Sequence, residues 1–307
     1  MAAHAPVGIF GKLPAQGDFF RLNVADPAAQ LLVAWLQEAI EPVYRARLTL
    51  PAAPVRFLFR APPAESALVG VMVASVDKVG RAFPLCGFAA LPARALAGSY
   101  PAIPGAFRSL LDGVEALLGA APALDGEALA ARARALQAPG LGELAAAADL
   151  ARRAAAAEPA AELARRLFGD LPPGAAAYAL STLDAATRPV RSREPARAAL
   201  ALDCPAQQDV DRWAWLELVR RALGWSAPPP FFWTAGESGR VVVSVGAPGP
   251  AVLVHLCDPT RAGPKVWPLR TTQPAAIDAA RRSVPAAALG VLDGGGSVEA
   301  LVGAAAR

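Results

Sequence analysis

Chemistry in this chain concentrates in two short segments. The first runs Gly11-Lys12-Leu13-Pro14-Ala15-Gln16-Gly17-Asp18 and continues through Phe19 to Arg21; the second runs Ser75-Val76-Asp77-Lys78-Val79-Gly80-Arg81-Ala82-Phe83-Pro84. Each mixes a carboxylate and cations with the glycine and proline of tight turns. Lysine directly after glycine invites a phosphate-cradling loop, in which backbone N–H groups face the phosphates and a hydroxyl after the lysine holds Mg²⁺. Pro6 stands where that pattern needs its first glycine, Leu13 replaces the hydroxyl, and Pro14 removes a backbone N–H. The segment therefore does not read as a nucleotide site.

Other catalytic chemistries meet similar shortages. Metal ligation and general acid-base work call for converging His, Cys, Asp or Glu, and the chain has two histidines, His4 and His255, and three cysteines, Cys86, Cys204 and Cys257, far apart in sequence. No G-x-S-x-G elbow presents a serine nucleophile. No catalytic residue, metal site, cofactor or disulfide framework is expected. What remains are charged pairs, Asp18 with Arg21 and Asp77 with Lys78 and Arg81. If the loops meet at one end of a sheet, Lys12, Asp18, Asp77 and Arg81 could line a charged cleft for a small ligand. Otherwise the aspartates cap turns and the cations make surface pairs worth about 0–1 kcal/mol each.

The elements that must position these loops follow from periodicity. Val7 to Phe10 is a β-prone run that enters the first loop. Asp26-Pro27 supplies an N-cap followed by a first-turn proline, and Leu32, Trp35, Leu36, Ile40 and Val43 recur at helical spacing, predicting an amphipathic helix bent by Pro42. Val55 to Phe59 and Leu68 to Val73 predict a strand pair, and Leu85 to Leu91 a strand leaving the second loop. Phe107, Leu110, Leu111, Val114 and Leu117 or Leu118 mark another helix, and Asp125 to Phe168 reads as short alanine-rich helices broken at Pro139-Gly140 and Glu158-Pro159. Further on, Ala175 to Leu183 and Ala198 to Leu202 read as strands flanking an arginine-bearing loop, Arg188 to Arg197. Val210, Trp213, Leu216, Val219 and Leu223 mark a helix ended by Gly224, with Trp213 in the core and Trp215 turned elsewhere, or the reverse. Phe231 to Thr234, Val241 to Val245 and Val252 to Leu256, which carries His255, read as a second strand group.

These elements predict an α/β fold: a mixed, largely antiparallel sheet with helices packed around it, in one body or two lobes. The division expected is an α/β domain over 5–120, a helical segment over 121–170 and a C-terminal α/β region over 171–307 with a loose tail from about 275. A hydrophobic fraction of 54% against 18% charged residues excludes a disordered chain. The formal charge of +4 rests on arginines scattered along the sequence, so no nucleic-acid partner is expected. The apolar stretch Val241 to Cys257 is split by Gly246-Ala247-Pro248-Gly249-Pro250, and Met1 to Pro6 lacks a basic start before an apolar run. The chain reads as cytoplasmic, with no membrane insertion.

The stretch from Gly8 to Arg21, with its GKLP and GDF elements, and the stretch from Ser75 to Leu85, of the form S-V-D-x-V-G-R-x-F-P-L, together resemble the TagF family, proteins associated with bacterial type VI secretion systems. The resemblance implies an α/β fold and a non-enzymatic, post-translational regulator, generally a repressor, that engages the forkhead-associated-domain scaffold protein of the secretion machine. It brings no catalytic residues. Some members of the family are fused to a metal-dependent phosphatase; this chain lacks an acidic cluster for two metal ions and so resembles the unfused form. The motif positions offered as interaction residues are Gly11, Lys12, Leu13, Pro14, Gly17, Asp18, Phe19 and Arg21 in the first loop, and Ser75, Asp77, Gly80, Arg81, Phe83 and Pro84 in the second. Competing readings are a structural component of the secretion assembly and a ligand-binding protein or enzyme with a charged pocket. The loops are expected side by side at one end of one sheet, with Gly80 at positive φ.

Overall fold

The computed structural model describes residues 6–305 except 197, 199, 237 and 262; His4 and Arg197 lie outside the described residues. Among those described, nine strands form one sheet: β1 (Val7–Lys12), β2 (Phe19–Leu22), β3 (Val55–Phe59), β4 (Ser66–Val73), β5 (Leu85–Pro92), β6 (Ala201–Pro205), β7 (Phe231–Trp233), β8 (Arg240–Ser244) and β9 (Val266–Pro268). Their order is β2-β1-β5-β4-β3-β7-β8-β6-β9, and every neighbouring pair is antiparallel except β6 with β9. The fold is α/β with an open, mixed and largely antiparallel sheet.

Helices cover both faces, and period-two alternation shows why. Along β4, Ala67, Val69 and Val71 join one core while Leu68 and Met72 join the other. β7 divides likewise, Phe231 and Trp233 to the first core and Phe232 to the second. The second core is closed by two neighbouring helices, Pro27–Arg45 and Pro250–Cys257. Asp26 caps the first of these, its Oδ1 accepting the Ala28 N–H at 2.8 Å, and Pro27 occupies a first-turn place where no N–H is needed. From the same helix Trp35 packs against Phe59 and Phe232, ring centroids 5.6 and 5.3 Å away, and donates its Nε1–H to Gly249 O at 3.2 Å. Trp35 thereby fastens the helix to both β3 and β7. Arg108–Gly119, Leu141–Ala157, Ala160–Phe168 and Asp209–Leu223 lie in the thicker layer over the first core.

Several segments depart from the sequence pattern. Ala175 to Leu183, expected as a strand, lies within the helix Ala175–Thr187; alanine's helix propensity prevails there, and Ala177, Leu180 and Leu183 fall on one buried face. Val252 to Leu256 lies in the helix Pro250–Cys257, which Gly249 and Pro250 open, so β-branched content alone misled. The strand placed at Ala198 to Leu202 is shifted to Ala201–Pro205. β2 carries no sequence signal of its own, being a four-residue edge strand, yet its pairing draws Gly11 and Lys12 out of the expected loop and into β1. Trp213 and Trp215 are both buried because the Asp209–Leu223 helix is enclosed between the sheet and other helices; Trp215 Nε1–H donates to Pro205 O at 2.7 Å. His255 is buried too, its Nε2 3.0 Å from Asp203 Oδ2. Instead of a loose tail, the helices Pro274–Ser283, Ala286–Gly294 and Val298–Ala305 close the chain, and Ile277, Val298, Leu301 and Val302 anchor them in the first core.

The cap at Asp26 yields a direct test of this local logic. Asp26→Ala leaves the Ala28 N–H without its acceptor and lowers unfolding stability by about 1 kcal/mol, whereas Asp26→Asn retains most of it. Urea unfolding of the three proteins measures the difference; equal losses in both variants would show that the charge, not the cap, matters.

Candidate functional site

The two motif loops meet at the end of the sheet where β1 and β4 finish and β5 begins. In the first, Gln16 N–H donates to Leu13 O at 3.0 Å, closing a turn with Pro14 at its second position, where its fixed φ fits. Leu13 is wholly buried in the core below. In the second, Gly80 N–H donates to Asp77 O at 2.9 Å, so aspartate opens a turn that glycine closes. Gly80 has φ of +83°, as the sequence predicts. The loops are joined to each other by Lys78 N–H to Gln16 O at 3.0 Å, and Ser75 Oγ–H donates to Lys12 O at 2.8 Å.

Asp77 sits at the centre and is 3% exposed. Its Oδ1 accepts the Val79 N–H at 3.0 Å and the Arg81 N–H at 2.9 Å. Its Oδ2 faces Lys12 Nζ at 3.1 Å and accepts from Arg81 Nε at 2.6 Å. Both cations reach on to Gly17 O, Lys12 Nζ at 3.0 Å and Arg81 at 2.7 Å. Burial pushes the Asp77 carboxyl up, but the Arg81 N–H, the Lys12 ammonium, the Arg81 guanidinium and the Val79 N–H outweigh it and hold the group well below the usual carboxylate range. Desolvating a charge is costly unless its remaining valences are met, and here four donors meet them.

Aromatic rings fill the space beside the ion pair. Phe10 stacks on Phe19 at 5.2 Å, and Phe83 meets both edge-on, at 5.9 and 4.8 Å. Lys12 Nζ lies 4.4 Å from the Phe19 ring centre, and the exposed Arg21 places its guanidinium 5.0 Å from that of Phe10. From the last turn of the Pro27–Arg45 helix, the Tyr44 O–H donates to Ala82 O. Burial and the neighbouring Asp77 charge raise the Tyr44 hydroxyl pKa, against the pull of Arg81. Gly11, at φ +146°, passes so close to the chain entering β5 that a Cβ there would lie 2.2 Å from Pro84 O.

The motif residues are thus brought together, but not as an open cleft. Lys12, Asp77 and Arg81 are spent on one another, Asp18 is exposed outside their network, and Arg21 turns to Phe10 instead of pairing with Asp18. This removes the charged-pocket reading, which required those side chains to be free to meet a ligand. Concavities lie elsewhere among the described residues, and two of them, neither containing a motif residue, hold charged side chains. One of about 870 Å³, with Asp26, Glu65 and Ser66 in its wall, opens at the far end of the sheet. The other, of about 420 Å³, contains Arg166, Arg240 and Arg270, which are held by Asp211, Asp203 and Asp170 at 2.5, 2.9 and 2.5 Å. Sequence reasoning missed Phe10, Gln16 and Tyr44 as parts of the loop assembly. Tyr44 carried a signal, an aromatic side chain one position off the apolar stripe in the helix's final turn.

Two outcomes follow from this geometry. Because the folded-state pKa of Asp77 is lowered, its stabilisation is complete above the ordinary carboxylate range and is lost as the pH falls, from about pH 5 downward. Thermal melts between pH 7 and pH 3 therefore show Asp77→Asn less stable at pH 7 and flatter in its acid dependence than the wild type; parallel profiles would remove Asp77 from that role. At Gly80, where no atom lies within 4 Å of an added Cβ, alanine brings only left-handed backbone strain of roughly 1–2 kcal/mol. Gly11→Ala adds a backbone clash and costs more in the same urea titration.

Comparison with known proteins agrees with the motif reading. A family model described as TagF N-terminal domain, Type VI secretion system-associated, matches residues 8–136, which include both loops. Among solved structures, the chain is similar to PA0076 from Pseudomonas aeruginosa PAO1, at 29% identity and a TM-score of 0.38, over 44% of this chain and 64% of that one. No curated protein matches the chain. The part of the chain that builds the two-loop assembly, residues 8–136, belongs to the TagF N-terminal domain family of proteins associated with type VI secretion systems.

Proposed function

We propose that this chain is a non-enzymatic, post-translational regulator of a type VI secretion system, that it represses secretion, and that it acts in the cytoplasm by binding the forkhead-associated-domain scaffold protein. The observation that carries this reading is the fate of the motif's charged groups. Lys12 and Asp77 are buried against each other, and Arg81 is drawn onto the same carboxylate, so the motif's chemistry goes into fixing a backbone shape. A shape held that firmly suits recognition by a partner, because little ordering remains to be done on binding. Membership of residues 8–136 in a secretion-associated family supports the choice of system. Among the described residues no helix is long and apolar enough to cross a membrane, which is compatible with a regulator that meets its partner on the cytoplasmic side. Such an interface buries about 1,200–2,000 Å² in total.

Overproduction in a secreting strain tests the proposal. Release of the tube protein into the medium falls while transcript levels of the secretion components stay constant, and the scaffold is recovered in pull-downs from the same cells. Unchanged secretion with no scaffold recovered would refute the regulator reading, and stable stoichiometric presence in purified secretion particles would favour a structural component instead.

A further inference from the structure

The outer side of the two-loop assembly has a composition of its own. Val79, the third residue of the Asp77–Gly80 turn, is 70% exposed, more than any other large hydrophobic side chain among the described residues. Val76 and Tyr44, at 43% and 48%, meet the same loop at Ala82: Val76 bridges Ala82, and the Tyr44 O–H donates to Ala82 O. Three of the six exposed large hydrophobics thus gather on one loop and the helix end behind it. Scattered single exposures need no explanation, but a cluster on a rigid loop does.

Charge frames this apolar tip asymmetrically. Lys78 and Arg21 are exposed, and the Arg81 side chain is 61% exposed. The carboxylate that would balance them, Asp77, is turned inward and already shared by Lys12 and Arg81. Glu41, on the neighbouring helix, is paired with Arg45, which leaves Asp18 as the exposed acid of the first loop. The rim is positive. Rigidity adds to this, since Asp77 Oδ1, which accepts both the Val79 and the Arg81 N–H, and the Gly80 turn fix the backbone around Val79.

We propose that Val79, with Val76 and Tyr44 beside it and Lys78 and Arg81 at its rim, is the docking tip of this chain, and that it seats in an apolar pocket bordered by carboxylates on a protein partner. The identity of that partner as the scaffold rests on the regulator reading above; the location of the tip does not. An apolar anchor on a preformed loop supplies the affinity and the cationic rim supplies orientation.

The test uses the full-length chain in secreting cells. Val79→Asp and Lys78→Glu change side chains outside the Asp77 network, so their melting temperatures match the wild type; each weakens scaffold binding by about tenfold or more and relieves repression, while Leu150→Asp, on the exposed surface of another helix, does neither. Should Val79→Asp fail to fold, Lys78→Glu and the cross-linking arm carry the test. In that arm a photo-cross-linking amino acid replaces Val79 and the captured protein is identified by mass spectrometry. Cross-linking to an acidic face of the scaffold supports both the tip and the regulator reading. Cross-linking to an acidic face of a different secretion component supports the tip and removes the scaffold as partner. Repression and scaffold binding undiminished in folded Lys78→Glu, together with no cross-link at position 79, would overturn the docking tip and leave the regulator reading standing.

Discussion

Burying the Asp77 carboxylate is the constraint around which this end of the molecule is arranged. A carboxylate out of water must find donors for both oxygens, and the turn it opens supplies two from its own backbone while β1 and the loop's far side supply two cations. The cations in turn need further acceptors, and Gly17 O serves both. The network joins two distant segments, Lys12 and Gly17 of the first loop and Asp77, Val79 and Arg81 of the second, so it ties the hairpin of β1 and β2 to the connection between β4 and β5. Removing Asp77 leaves the buried Lys12 ammonium without its carboxylate, a larger penalty than the loss of an exposed pair.

The same region couples the layers of the fold. Tyr44 reaches from the final turn of its helix to Ala82, so the helix that covers the second core is fixed at its end to the loop. Phe10, Phe19 and Phe83 continue the core outward beneath the loop, and the glycine at position 11 lets two backbones cross where any side chain would separate them. On the opposite face Arg56 of β3 reaches Asp112 and Glu115, at 2.5 and 2.9 Å, on the Arg108–Gly119 helix. Polar links therefore fasten the sheet to its coverings on both sides.

What the sequence made legible divides by physical cause. Strong local signals were read correctly: the Asp26-Pro27 helix start, the β-branched runs of β3 to β5, and the glycine of the Asp77 turn, because in each the deciding forces lie within a few residues. The adjacency of the two loops was also legible, from their matched charges and their positions beside strands. Tertiary context decided the rest. The helix at Pro250–Cys257 carries as many valines and leucines as β4, four in eight residues, and its place against the Pro27–Arg45 helix joins its Gly249-Pro250 start in settling its form. The burial of Lys12 could not be foreseen, because it depends on a partner some 65 residues away and on β2, a strand too short to announce itself. A charged motif looked like an open site until its members were seen to satisfy one another.

The pairing of β3 with β7 bears on any attempt to isolate the family-matched segment. Arg56, Phe57 and Leu58 meet Trp233, Phe232 and Phe231 in antiparallel register, and Trp35 packs over the seam. The family-matched residues 8–136 contain β3 but not β7. Cut after that segment, the chain would present β3 as a bare edge, with unpaired N–H and C=O groups flanked by phenylalanine on one face and leucine on the other. Such an edge is a template for self-association. β7, from the C-terminal half, thus covers the edge that β3 would otherwise leave open.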